Sequence, residues 1–174
     1  MSEKVRQKET VERDLDRLAL DKILKICLIA GIIISSGLII YYILTPEPGF
    51  ITFGLLNSDK EAENYPTKAT VNTNIEFYAL VENHLGSDLT FHLKIYKGDN
   101  QTQLSSTGSV NAILNQTSPQ ITIKNEERKI CGKFIISFLQ IGSNQTIIVE
   151  LWQIINGISD SFYDITWLRL NITA

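Results

Sequence analysis

The residues able to carry chemistry in this 174-residue chain are few and scattered. There are two histidines, His84 and His92, and neither stands in an HxH, HExxH or CxxC spacing that would place several ligands on one metal. Asp59, Glu61 and Glu63 alternate like the first ligands of a calcium loop. The sixth position of that loop is Asn64 where a glycine is needed for the sharp turn, and the twelfth is Thr70 where a bidentate glutamate is needed. A solvated loop is therefore expected, with Tyr65-Pro66 folding its end back onto the domain. Cys131 has Lys133 nearby but no histidine close in sequence, which reads as a small buried hydrophobe at the start of a strand. GxSxG and phosphate-loop motifs are absent. Neither a cofactor nor an enzymatic reaction is expected.

Four asparagines do stand in a motif with a chemical meaning. Asn100, Asn115, Asn144 and Asn171 each begin an N-x-[ST] sequon, the acceptor for N-linked glycans in a chain that faces a glycosylating compartment. The first three are expected in breaks between strands and the fourth on the wet side of a strand. All four follow the most apolar stretch of the chain, Ile26 to Leu44, nineteen residues (26–44) without a charge. As a helix this stretch spans roughly 28 Å, close to the hydrocarbon thickness of a bilayer. Lys22 and Lys25 precede it and no basic residue follows until Lys60, so the positive-inside rule places the N-terminus in the cytoplasm and the remainder outside. The exit Tyr-Tyr-Ile-Leu-Thr-Pro is too bulky for a signal-peptidase site, which favours an uncleaved anchor. Within the span Cys27, Gly31 and Ser35 lie four apart, a stripe of small residues that would let another helix approach closely.

The flanking segments follow from these positions. Residues 1–25 form a charged cytoplasmic tail in which Val11, Leu15 and Leu18 recur at helical spacing, so a helix continuous with the span is expected. Pro46, Pro48 and Gly49 make 45–49 a short linker. From residue 50 to 174 the apolar period changes to two. LTFHLKIY is the clearest case, with Leu89, Phe91, Leu93 and Ile95 on one face and Thr90, His92, Lys94 and Tyr96 on the other. Further runs begin at Phe50, Ile75, Ile121, Lys133, Thr146 and Tyr163, separated by KGDNQ, NQTSP, GSNQ and NGISD. About seven or eight strands without helical pattern between them predict a mainly β domain, an antiparallel immunoglobulin- or fibronectin-III-like sandwich on a single N-terminal transmembrane helix, with a small barrel as the alternative.

The entry Gly49–Leu56 (GFITFGLL), then Glu61-Ala62-Glu63-Asn64-Tyr65-Pro66-Thr67, then Val81–His84 (VENH) resemble the outer domain of an archaeal membrane-protein family, domain of unknown function sixteen-sixteen. The resemblance covers Gly49 to Tyr96. It implies an archaeal source, a membrane anchor and a β-sandwich at the cell surface, and supplies no catalytic residues. Many members of that family have several spans, where this chain has one.

One strand stands apart. Trp152 alternates with Ile148 and Ile154, while Ile147, Val149 and Leu151 occupy the other side, so both faces are apolar. The second face must be buried by an appended loop, the membrane surface or another protein. Trp152, Ile148 and Ile154 are thus the candidate interaction face. With 16 basic against 19 acidic residues, the net charge of -3 gives no field that would gather nucleic acid. Membrane lipid and other membrane or envelope proteins are the expected partners. The reading is a non-enzymatic accessory or structural subunit at the cell membrane; the alternative is a surface module that binds glycan or another ligand, for which Tyr65, Tyr78 and His84 would line a pocket.

Overall fold

The structure, a computed structural model, describes residues 3–45, 48–157 and 159–174, with side chains from residue 20 onward. Pro46 and the side chains of Val11, Leu15 and Leu18 lie outside the described residues. The chain divides into two units, residues 1–47 and 48–174.

The first unit is one α-helix, α1 (Glu3–Leu44), which passes without a break from the charged tail into the apolar stretch. Its segment Leu20–Leu44 is long and apolar enough to cross a membrane. Thr45 ends it, with its amide N and Oγ1 both donating to the Tyr41 carbonyl at 2.9 and 2.7 Å and so satisfying one of the free carbonyls of the last turn.

The second unit is a β-sandwich of immunoglobulin-like fold. One sheet has the order β1 (Phe50–Leu56), β3 (Ile75–His84), β9 (Arg128–Ile136). The other has the order β2 (Lys68–Thr70), β11 (Ser159–Thr173), β10 (Gly142–Ile155), β4 (Leu89–Gly98), β7 (Ile113–Thr117), with β8 (Ile121–Ile123) also on β4. A separate hairpin joins β5 (Gln103–Ser105) to β6 (Gly108–Val110). The pairs are antiparallel except β2 with β11, which run parallel over Asn171–Thr173, so the larger sheet is mixed where an antiparallel one is expected.

Alternation explains the core. Ile75, Phe77, Ala79 and Val81 of β3 face Leu89, Phe91, Leu93 and Ile95 of β4 across the sheets, joined by Ile147, Val149 and Leu151 of β10 and by Phe134 and Ile136 of β9. Each large side chain removed from water there contributes about 1.5–3 kcal/mol before entropy is counted. A bulge in β9 sets Gly132 and Lys133 opposite the single residue Tyr78, between the pairs Phe77↔Phe134 and Ala79↔Cys131. Gly132 takes φ 104° there, a conformation that a side chain strongly disfavours. The turn from β10 to β11 passes through Asn156 and Gly157 at φ 53° and 72°, a left-handed conformation that asparagine and glycine accept.

Several boundaries differ from the sequence reading. The strand expected from Lys133 begins at Arg128 and ends at Ile136, which puts Cys131 inside β9, not at its start. The short strands β2, β5, β6 and β7 carry too few apolar residues to show a period of two. Consequently Asn115 lies within β7 and Asn144 within β10, and only Asn100 of the first three sequons occupies a turn.

Candidate functional site

The outer face of β10 carries a group of polar and aromatic contacts. Opposite the core, Ile148, Glu150 and Trp152 project from the large sheet, yet Ile148 is 0% exposed and Glu150 1%. Gly98, the last residue of β4, lies against Ile148, since a Cβ built there would be 3.0 Å from Ile148 Cδ1. Over Glu150 the cover is the chain's own segment between β4 and β7: a Cβ built on Gly108 would lie 3.2 Å from Glu150 Oε1 and 3.6 Å from Phe162 Cδ2. The β5–β6 hairpin therefore rests on this face.

Glu150 is the residue that holds the hairpin. Its Oε1 accepts from the Ser109 amide and from Ser109 Oγ, both at 2.6 Å, and its Oε2 accepts from Trp152 Nε1 at 2.8 Å. A buried carboxylate is tolerated only when donors replace its lost water, and these three do so. Burial and the neighbouring Glu150 carboxylate push the Tyr96 hydroxyl up to about 12. Trp152 meets Phe162 edge to face at 5.8 Å between centroids, and Lys94 Nζ sits 3.7 Å over the indole ring. Asp160 Oδ2 lies 3.4 Å from Lys94 Nζ and 3.2 Å from His92 Nε2, although the latter approach is off the hydrogen-bonding direction and gives that nitrogen no hydrogen bond among the described residues.

The expected interaction face is thus corrected. Ile148 is sealed, and Trp152 and Ile154 are half-buried, because the chain supplies its own cover for the second apolar face. The exposed indole belongs instead to Trp167, 47% exposed on β11. Trp167, Leu168 and Thr166 line an open depression of about 320 Å³ with Gly54 and Leu55 of β1 and with Ala62 and Tyr65 of the loop that follows. Tyr65 is fixed by donating its hydroxyl to the Leu55 carbonyl at 2.6 Å. Neither Tyr78 nor His84 joins it. Tyr78 donates to Glu76 Oε1 at 3.2 Å. His84 is the last residue of β3; it bonds the Glu126 carboxylate at 2.8 Å and stacks on Phe50 at 4.7 Å.

The remaining candidates are placed as follows. The Asp59–Glu63 loop is organised by Asn57, whose Oδ1 accepts from the amides of Asp59 and Glu61 at 2.8 and 3.0 Å while its Nδ2 donates to the Glu63 carbonyl at 2.8 Å. The three carboxylates there are exposed. No group of three or more metal-ligating side chains occurs among the described residues. Cys131 is buried in the core, and that burial raises its thiol to about 11, against a smaller lowering by Lys129, so it stays protonated at neutral pH. On α1, Cys27, Gly31 and Ser35 share a shallow groove with Leu28, Ile32, Ser36 and Ile39. Asn100, Asn115, Asn144 and Asn171 are all exposed.

No protein-family model and no curated protein matches the chain. Among solved structures, the chain is similar to the CARDB domain of a Pyrococcus furiosus protein, solved in complex with di-metal ions, at 14% identity and a TM-score of 0.46, covering 75% of this chain and 93% of that one. A β-glucosidase from Listeria innocua in complex with glucose gives 10% identity and 0.46 over 72% of this chain, but only 16% of its own length. Spo0M, a sporulation control protein from Bacillus subtilis, gives 12% identity and 0.41 over 74% of this chain and 51% of that one.

Proposed function

We propose that the chain is a non-enzymatic, membrane-anchored interaction protein, an accessory or structural subunit of a membrane or cell-envelope assembly. In this reading Leu20–Leu44 is embedded in lipid, the N-terminus is cytoplasmic because Lys22 and Lys25 flank its entry, and the sandwich stands outside. The observation that carries the reading is the groove on α1, where Cys27, Gly31, Ser35 and Ser36 present small side chains along one face of a helix of membrane-crossing length. A Cβ added at Gly31 meets nothing within 4 Å, so the space beside it is available to a second helix. In a bilayer such faces favour close packing by van der Waals contact and interhelical hydrogen bonds. An archaeal cell surface is the setting that the resemblance of Gly49–Tyr96 to domain of unknown function sixteen-sixteen suggests.

The test is purification of the protein from its own membranes in mild detergent, with identification of whatever co-migrates. A stoichiometric membrane-protein partner that is lost with Gly31→Leu supports the reading. Migration as a lone monomer in both forms overturns it.

A second reading, a module for surface glycan or a similar ligand, is favoured by the Tyr65–Trp167 depression, since exposed indoles stack well on sugar faces. Quenching or a blue shift of Trp167 emission with envelope oligosaccharides, abolished by Tyr65→Ala, would support it over the first.

A further inference from the structure

One end of the sandwich carries apolar side chains that the described residues leave uncovered. Phe50 pairs with His84 and Arg128 with Glu82 at the end where the chain enters, whereas Leu56 pairs with Tyr78 and Ile75 with Ile136 at the other. The two ends are thus separated by at least roughly 20 Å of strand. At the far end the segment after β9 and the start of β7 leave Ile113, Leu139 and Ile141 exposed by 74%, 74% and 66%. They surround a depression of about 420 Å³ that also takes in Lys97, Asp99 and Gln145. Three large aliphatic side chains grouped in this way are an aggregation liability unless something covers them.

Two sequons stand at the rim of this depression. Asn100 follows Asp99, and Asn144 precedes Gln145, and both Asp99 and Gln145 line it. Asn100 and Asn144 also face each other across a smaller polar cleft of about 140 Å³ that shares Asp99 with the apolar depression. They come from positions 44 residues apart in sequence (144 − 100) and are brought together by the pairing of β4 with β10, Gly98 opposite Thr146. Asn144 adopts φ 55°, which asparagine tolerates, and its side chain is exposed. By contrast Thr146, the hydroxyl residue of its sequon, is 4% exposed in a strand paired on both sides.

We propose that N-linked glycans on Asn100 and Asn144 cover the apolar end of the sandwich formed by Ile113, Leu139 and Ile141; this rests on the outside placement of the domain given above. The transfer takes a lipid-linked oligosaccharide phosphate or diphosphate as donor. Asparagine Nδ2 attacks the anomeric carbon, the C1–N bond forms, and the C1–O bond to the lipid phosphate breaks. One amide proton passes to a base of the transferase, and the lipid phosphate leaves. Because Thr146 is sealed by folding, modification at Asn144 precedes closure of β10 between β4 and β11. The glycan then remains on the surface beside Ile141. Asn115, on the outer edge strand β7, does not line either depression and serves as the internal comparison.

The experiment uses the full chain from its own membranes. Peptide mass spectrometry reads occupancy at each sequon, protease added to intact cells reports the side of the membrane on which the sandwich lies, and hydroxyl-radical footprinting reads the accessibility of Leu139 and Ile141. Glycan mass is expected at Asn100 and Asn144. Labelling of Leu139 and Ile141 is expected to rise severalfold in an N100Q/N144D double variant and to stay unchanged in N115Q. Aspartate is used at 144 because it accepts the left-handed backbone. If protease reaches the sandwich from outside but Asn100 and Asn144 are unmodified, or if labelling does not change in the double variant, the inference fails and the outside placement stands. A sandwich shielded from external protease in intact cells and cleaved after lysis, with all sequons bare, overturns both.

Discussion

Replacing Glu150 with alanine removes the acceptor for three donors at once, the Ser109 amide, Ser109 Oγ and Trp152 Nε1. A buried donor left without a partner costs about 1–3 kcal/mol. Ser109 and Trp152 are only half-buried, so water re-enters at the hairpin margin and recovers part of that loss. Relief of the desolvation cost of the carboxylate offsets a further part. The expected net loss is about 2–4 kcal/mol, which for a domain of this size lowers Tm by roughly 8–16 °C. Glu150→Gln keeps one oxygen but turns an N–H donor toward either Ser109 or Trp152, and is expected to cost about 1–2 kcal/mol. The assay is urea unfolding of the 48–174 domain followed by tryptophan fluorescence, with hydrogen exchange at 103–110 to show whether the β5–β6 hairpin loosens before the core. An alanine variant within about 0.5 kcal/mol of wild type would refute the view that this carboxylate holds the hairpin down. A Glu150→Met variant more stable than wild type would show instead that desolvation of the charge outweighs its hydrogen bonds.

Tyr96 provides a pH test: its hydroxyl is raised to about 12 by burial and by Glu150, so between the unfolded value of 10.0 and about 12 the unfolded chain loses a proton that the fold retains. Stability is therefore expected to fall as pH rises through that window, and absorbance at 295 nm should show Tyr96 titrating late, beside Tyr65, which burial also raises, with the Tyr96 contribution moved back toward normal in E150A. Cys131, raised to about 11, is expected to react with a thiol reagent at pH 8 only as fast as the domain opens, and to react rapidly in denaturant. Gly49→Ala places a Cβ 2.5 Å from Leu85 Cα and 2.8 Å from the His84 carbonyl, where backbone must move; a loss of about 1–3 kcal/mol in thermal unfolding is expected. Leu93→Ala, at a fully buried core position, is expected to cost about 2–5 kcal/mol by the same measurement.

Much of the architecture is legible in the sequence because it follows from short-range periodicity. The uncharged run from Ile26 to Leu44 can satisfy its backbone only as a helix if it lies in lipid, and the alternation of Leu89 to Ile95 fixes which face of β4 is core. The same alternation identifies β10 as a strand with two apolar faces, and so requires a cover for the second face. Its identity is not a local property. Glu150 finds its donors on Ser109, 41 residues earlier in the chain, and the β5–β6 hairpin that carries Ser109 has no periodic signal of its own. Trp152 and Trp167 are equally apolar in sequence, and only the sheet packing half-buries the first against Lys94 and Phe162 while leaving the second beside Tyr65 in an open depression. In the same way, the sequence determined that Asn100 and Asn144 are sequons, but register between β4 and β10 decided that they meet at one end of the domain, since strand pairing joins residues by hydrogen bonds across the sheet without regard to their separation along the chain.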